Sequence, residues 1–170
     1  MNNDIKIGII GGSGVYNLDG IEIVAEHLVK TPFGNPSDKI IEARLNEISF
    51  YFLPRHGKLH QFLPSEVNYR ANIFSLKKLG VKYLISVSAV GSLTDECPPN
   101  SFVIPDQFID WTKGQRIRTF FGDGVIGHVS VANPIEENLK KIIIDGCKDI
   151  GTKYRENGTY LCIEGPQFST

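Results

Sequence analysis

Ile7 to Tyr16 reads IGIIGGSGVY, four glycines in ten residues within and just after an apolar run. Glycine at that density behind a strand brings backbone close to something. A dinucleotide fingerprint needs G-x-G-x-x-G. Gly12, Ser13 and Gly14 supply its first half, but position 17 is Asn. A phosphate P-loop needs a Lys followed by Ser or Thr, and no Lys follows here. What survives is an anion cradle of backbone N–H groups and the Ser13 hydroxyl at the carboxyl end of a strand. A structural turn accounts for the loop equally well.

Two further stretches repeat the theme. PRHGKLH, Pro54 to His60, follows another apolar run. Arg55 offers a rigid fork of donors that fits a phosphate, His56 adds a donor or a proton, and Gly57 permits a sharp turn. A surface Arg–His pair in a turn is the plain alternative. His56 and His60 have the spacing of metal ligands on a helix, but the intervening Gly57 and the lack of nearby carboxylates argue against a metal. SVSAVGSL, Ser86 to Leu93, ends a third apolar run in Ser88, Ala89, Val90 and Gly91. Carboxyl ends of strands in open α/β sheets are where ligands bind. Three such ends, each with anion donors, together favour a phosphate site over three separate turns.

The rest of the chain supplies a scaffold for those ends. Apolar runs recur at 5–10, 21–24, 40–45, 48–53, 83–87, 102–104 and 160–163, several bounded by Gly, Pro, Asn or Asp. IKIGII and ISVSAV carry almost no charge, as central strands covered on both faces would. A first helix is expected after Pro64, with Ser65 as N-cap, Val67, Ala71, Phe74 and Leu79 on its apolar face, Lys77 and Lys78 in its last turn, and Gly80 as its stop. A second is expected with Asn133 as cap, Pro134 first, and Leu139, Ile142, Ile143, Cys147 and Ile150 buried, ended by Gly151. Strands mixed with a few helices predict an α/β layered fold on a mixed sheet.

The chain has 170 residues, enough for one domain with a proper core. Its 18 basic and 19 acidic side chains give a net charge of -1, so nothing argues for a nucleic-acid partner. No apolar stretch approaches the ~20 residues that span a bilayer, so no membrane partner is expected. The start lacks the pattern of a signal peptide. Cys97, Cys147 and Cys162 form neither a disulfide framework nor a metal set, and read as reduced thiols of a cytoplasmic, metal-free protein. The last residues, Pro166 to Thr170, follow a strand with no closing element, so the chain reads as cut.

GIIGGSGVY, RHGKLHQFLPSEVNYRANIFSLKKLG, SVSAVGSL, VIPDQFID and IEGPQFST together resemble the methylthioadenosine branch of the trimeric purine nucleoside phosphorylase family, in the family's order and over essentially the whole chain. RHG…H…P…VNYRANI is the stretch that favours this branch over the inosine and guanosine branch.

The resemblance implies a three-layer α/β/α fold around a distorted mixed sheet, one incomplete domain over 1–170, and a homotrimer. It implies phosphorolysis of 5′-methylthioadenosine to adenine and 5-methylthioribose 1-phosphate, a pentosyltransferase reaction of purine and methionine salvage. Inorganic phosphate is a co-substrate and no cofactor is expected. Phosphate would be held by Ser13, Arg55, His56, Ser88 and Ala89, the same residues that the strand ends single out. Phe168 would lie against the purine, His60 would approach the alkylthio end, and His128 would reach a neighbouring subunit's site. The role of Glu164 differs between branches. Asp106 and Asp110 read as turn residues, and the acid that serves the purine is expected beyond residue 170. The piece alone is accordingly expected to be inactive. Other readings stay open: a phosphorylase of inosine, guanosine or methylthioinosine, a hydrolase, or a non-catalytic phosphate- or nucleoside-binding remnant.

Overall fold

The computed structural model describes residues 5–12, 20–114 and 116–165. They fall into two compact units, 1–89 with 116–120 and 90–115 with 121–170.

The first unit is built on a five-stranded sheet. Its strands are β1 (Ile7–Gly11), β2 (Ile21–His27), β3 (Ile40–Leu45), β4 (Ile48–Pro54) and β5 (Tyr83–Ser86), in the order β2-β3-β4-β1-β5. β2, β3 and β4 run antiparallel, and β1 runs parallel to both β4 and β5, so the sheet is mixed as expected. Leu45 pairs with Ile48, leaving Asn46 and Glu47 as a two-residue turn in which Asn46 takes φ 53.

Alternation along the strands divides their side chains between two faces. Ile10, Ile40, Tyr51 and Leu53 pack with Val29, Leu76 and Val81 on one face. Ile41, Ala43, Phe50 and Phe52 cluster on the other, with Ile7, Ile9 and Ile21 against them. Burial on both faces explains why β1 and β4 read as unbroken apolar runs.

Helix α1 (Tyr69–Lys78) supplies Leu76 to the first cluster. It begins later than the sequence suggests. The Asn68 side chain accepts from the Ala71 N–H at 3.1 Å and is the N-cap. Ser65 instead lies in a turn that Glu66 closes, its N–H donating to the Leu63 carbonyl at 2.9 Å and its carboxylate accepting from the Leu63 N–H at 2.8 Å. At the other end the Gly80 N–H bonds the Lys77 carbonyl and the Val81 N–H bonds the Leu76 carbonyl, at 3.0 and 3.1 Å. That is a Schellman closure with Gly80 at φ +89, a conformation that costs other residues strain. Gly80 is therefore the stop that the sequence marked.

β5 departs from expectation. Among the described residues it is the edge of the sheet rather than a central strand, with Leu84 and Ser86 exposed. Lack of charge does not reveal whether a strand lies on each side.

The second unit holds two parallel strand pairs, β6 (Phe102–Ile104) with β8 (Tyr154–Glu156) and β7 (Gln107–Trp111) with β9 (Thr159–Ile163). β7 and β8 were not expected from the sequence: Asp110 interrupts the first and charged Arg155 and Glu156 the second. Helix α2 (Glu137–Asp149) is capped by Glu136, whose carboxylate accepts the Leu139 N–H at 2.6 Å. That bond displaces Asn133 and Pro134 from the roles expected of them. The buried face also differs, because Ile144 and Cys147 pack against Ile104 while Ile142 and Ile150 are exposed. Asp110 closes a local turn, accepting the Thr112 N–H at 3.0 Å and its hydroxyl at 2.6 Å, whereas Asp106 accepts the distant Gly158 N–H at 3.0 Å.

Phe52→Ala should lower the unfolding free energy by about 3–5 kcal/mol through the cavity it leaves. Gly80→Ala should cost roughly 1–2 kcal/mol through the left-handed backbone. Urea midpoints check both, and an unchanged midpoint for Phe52→Ala would mean that the second cluster is not core.

Candidate functional site

Parallel pairing of β1 with two neighbours aligns three carboxyl ends along one margin of the sheet. Gly11 stands opposite Pro54, and Ile10 opposite Ser86. The ladders run one residue further on each side: the Arg55 N–H donates to the Gly11 carbonyl at 3.0 Å, and the Val87 N–H to the Ile10 carbonyl at 2.9 Å. Arg55 and Val87–Ser88 are therefore fixed on either side of the glycine loop where it leaves β1. Among the described residues, no atom lies within 4 Å of where a side chain on Gly12 would begin.

The Arg55 side chain crosses this margin. Its Nη1 donates to the Val87 carbonyl at 2.7 Å, its Nη2 to the Ser88 hydroxyl at 3.2 Å, and its Nε to His56 Nε2 at 3.1 Å. A guanidinium carries five N–H bonds. These contacts engage one on each nitrogen, which leaves one on each terminal nitrogen for a ligand.

The partners of His56 fix its protonation state. Nδ1 lies 2.9 Å from the Phe62 carbonyl, which only accepts, so Nδ1 carries hydrogen. Nε2 accepts from Arg55, so it carries none. The ring is neutral, and burial together with the charge of Arg55 holds its pKa below the ordinary histidine value, burial being the larger cause.

A tight turn produces this placement. The Gly57 N–H bonds the Pro54 carbonyl at 3.0 Å, the His60 N–H bonds Gly57 at 3.0 Å, and the Phe62 N–H returns to the His56 carbonyl at 3.2 Å. Gly57 takes φ +76, open to glycine and strained for other residues. His60, at φ 56, stacks its ring on His56 with centroids 5.0 Å apart and planes 26° apart.

Arg55, His56, Ser88 and Ala89 are thus brought to one margin, with His60 against His56. His128 lies in the second unit on an exposed irregular stretch. Ser13 and Phe168 lie outside the described residues. The sequence carried no signal for the Val87 and Phe62 carbonyls, because every residue has a carbonyl and only register selects these two. Among the described residues no three His, Cys, Asp or Glu side chains are grouped to hold a metal ion.

Comparison with known proteins gives this margin a context. The chain is 50% identical over 164 residues to the S-methyl-5′-thioadenosine phosphorylase of Geobacter sulfurreducens, a match that covers 96% of this chain and 57% of that protein. It is 50% identical over 169 residues to the protein of the same name from Saccharolobus solfataricus, covering 99% of this chain and 62% of that one. Among solved structures, a methylthioadenosine phosphorylase from an antarctic soil metagenomic library superposes with a TM-score of 0.92 at 48% identity, over 99% of this chain and 60% of that one. The Schistosoma mansoni methylthioadenosine phosphorylase in complex with adenine gives 0.89 at 36% identity, over 98% of this chain and 67% of that one. The chain spans about 57% to 62% of the length of those two curated relatives. The family model of the Phosphorylase superfamily matches residues 6–170, and the chain belongs to that superfamily.

Proposed function

We propose that the full-length protein is a transferase that cleaves S-methyl-5′-thioadenosine with inorganic phosphate, giving adenine and 5-methylthioribose 1-phosphate. The observation that carries this reading is the convergence of Arg55, His56 and Ser88 at one sheet margin, in a chain half identical to proteins of that name.

In the proposed reaction a phosphate oxygen forms a bond to ribose C1′ as the bond from C1′ to purine N9 breaks, its electron pair leaving with the base. The transition state has oxocarbenium character, as in glycoside hydrolysis. Phosphate is already an anion, so no base need activate it. The protein holds it beneath C1′, where its charge stabilises the developing cation. The two remaining Arg55 N–H groups supply the holding donors, with the Ser88 hydroxyl and the backbone at Ala89 beside them. His56 acts in its neutral form, by keeping the Arg55 fork in place through Nε2. The family resemblance assigns the remaining roles: Ser13 to the phosphate, His60 to the alkylthio end, Phe168 to the purine and His128 to a neighbouring subunit's site. The leaving adenine takes a proton or a hydrogen bond at N7. No cofactor or metal enters the scheme.

The same proposal includes a homotrimer in the cytoplasm. Support for association is the stretch 125–131, where Val125, Ile126, Val129 and Val131 are exposed and would favour burial against another chain. Support for a reducing compartment is that Cys97, Cys147 and Cys162 form no disulfide among the described residues. Among the described residues no helix is long and apolar enough to cross a membrane.

Arg55→Ala in the full-length protein should reduce phosphate-dependent adenine release by roughly 10²–10³-fold, the cost of removing a preorganised charge-stabilising donor. Near-normal turnover would sink the phosphate assignment, and adenine release that persists without phosphate would point to a hydrolase.

Because the folded protein disfavours protonated His56, the unfolded chain binds that proton first as pH falls below about 6.5. The contribution of His56 to stability should be complete above that pH and be lost as pH drops through its lowered pKa. NMR titration of the imidazole should give a midpoint below that of unfolded histidine, and a midpoint at or above it would refute the neutral assignment.

A further inference from the structure

A second set of contacts reaches the turn 55–60 from residues 31–38. That stretch is tied to α1 at two points. Asn68 Nδ2 donates to the Phe33 carbonyl at 2.7 Å. Asn72 accepts the Ser37 N–H on Oδ1 at 2.8 Å and donates Nδ2 to the Ser37 hydroxyl at 2.9 Å. Asn72 and Ser37 are both buried, 2% and 6% exposed. A buried amide with both of its polar atoms engaged resists displacement, because breaking either bond strands a desolvated group. Ser37 is therefore a fixed point, and Asp38 extends from it. Asp38 Oδ2 accepts the Lys58 N–H at 2.7 Å, and Oδ1 accepts the Lys39 N–H at 2.8 Å.

Lys58 is the residue after Gly57, in the turn that starts with Arg55 and His56 and ends with His60. Gly57 is conformationally permissive, so the turn has its softest joint next to the residue that Asp38 holds. A negative side chain on this loop is poorly suited to contact an anion directly. Its two oxygens are instead occupied by backbone N–H groups, one of them in the turn itself.

We propose that Asp38 is a positioning residue for the anion site: acting through the Lys58 N–H, it holds the turn 55–60 so that the Arg55 fork stays between Val87, Ser88 and His56. Asn72 anchors Asp38 in turn, so α1 sets the height of the fork at the sheet margin. The inference rests on the phosphate reading of Arg55 given above.

The test is steady-state kinetics of the full-length protein with phosphate and nucleoside varied separately. Asp38→Ala should raise KM for phosphate roughly tenfold, the loss expected for a charge-assisted hydrogen bond, while KM for the nucleoside changes little. Asp38→Asn, whose one side-chain oxygen can accept the Lys58 N–H while Nδ2 faces the Lys39 N–H, should recover phosphate KM only in part. Amide hydrogen exchange at Lys58 should quicken in Asp38→Ala and not in Asp38→Asn, a reading that needs no activity. An unchanged phosphate KM in Asp38→Ala, alongside a large effect of Arg55→Ala, would overturn the inference alone. Unchanged amide exchange at Lys58 in Asp38→Ala would overturn it too, by showing that Asp38 does not hold the turn. If Arg55→Ala itself leaves phosphate KM unchanged, the phosphate reading falls first.

Discussion

Parallel pairing of β1 with both β4 and β5 is the constraint on which the rest depends. Parallel strands point their carboxyl ends the same way, and the connections between them must cross over to bring that about. Residues 11–12, 54–56 and 86–89, distant in sequence, therefore emerge side by side. Once Gly11 is opposite Pro54 and Ile10 opposite Ser86, the next residue on each outer strand bonds back to β1, and Arg55 has no choice but to lie across the margin. A slip of one residue in either pairing would turn Arg55 or Ser88 to the other face of the sheet. The clusters on the two faces prevent the slip of β4, because it would also expose Phe52 or Leu53, which are almost fully buried. Core packing and site geometry are thus enforced by one register.

Much of this was legible in the sequence, for reasons that can be named. Arg55, His56 and Ser88 each follow an apolar run and stand near glycine or small residues, and that pattern marks strand ends without any knowledge of register. β1 and β4 announced their two-sided burial through uninterrupted apolar residues. The helix stops were legible because Gly80 and Gly151 sit at the left-handed positions that close both helices, at φ 89 and 65.

The remainder depended on information a linear reading lacks. Asn68 beat Ser65, and Glu136 beat Asn133, as caps because the geometry of the first turn decides which side chain meets an orphan N–H; Asn and Ser are favoured caps beforehand and Glu is not. Ile142 and Ile150 fit an apolar helical stripe by spacing and yet are exposed, while Ile144 is buried. Which side of a helix turns inward is settled by its neighbours, here Ile104 and Tyr154. The carbonyls that orient Arg55 and His56 belong to Val87 and Phe62, whose side chains have no part in the matter. No sequence pattern marks Asp38; only the Lys58 N–H placed against it does.

The bracing of Arg55 bears on the thermodynamics of anything anionic that docks there. An arginine free in solvent carries about 2 kcal/mol of rotamer entropy, most of which a ligand must freeze out on binding. Here the freezing has already been done during folding, by a carbonyl, a hydroxyl and an imidazole on three separate nitrogens. An incoming anion meets a fork already aimed, and its gross attraction reaches the observed affinity with less deducted. The entropic cost has been moved into the stability of the fold, where the two-faced core is large enough to absorb it.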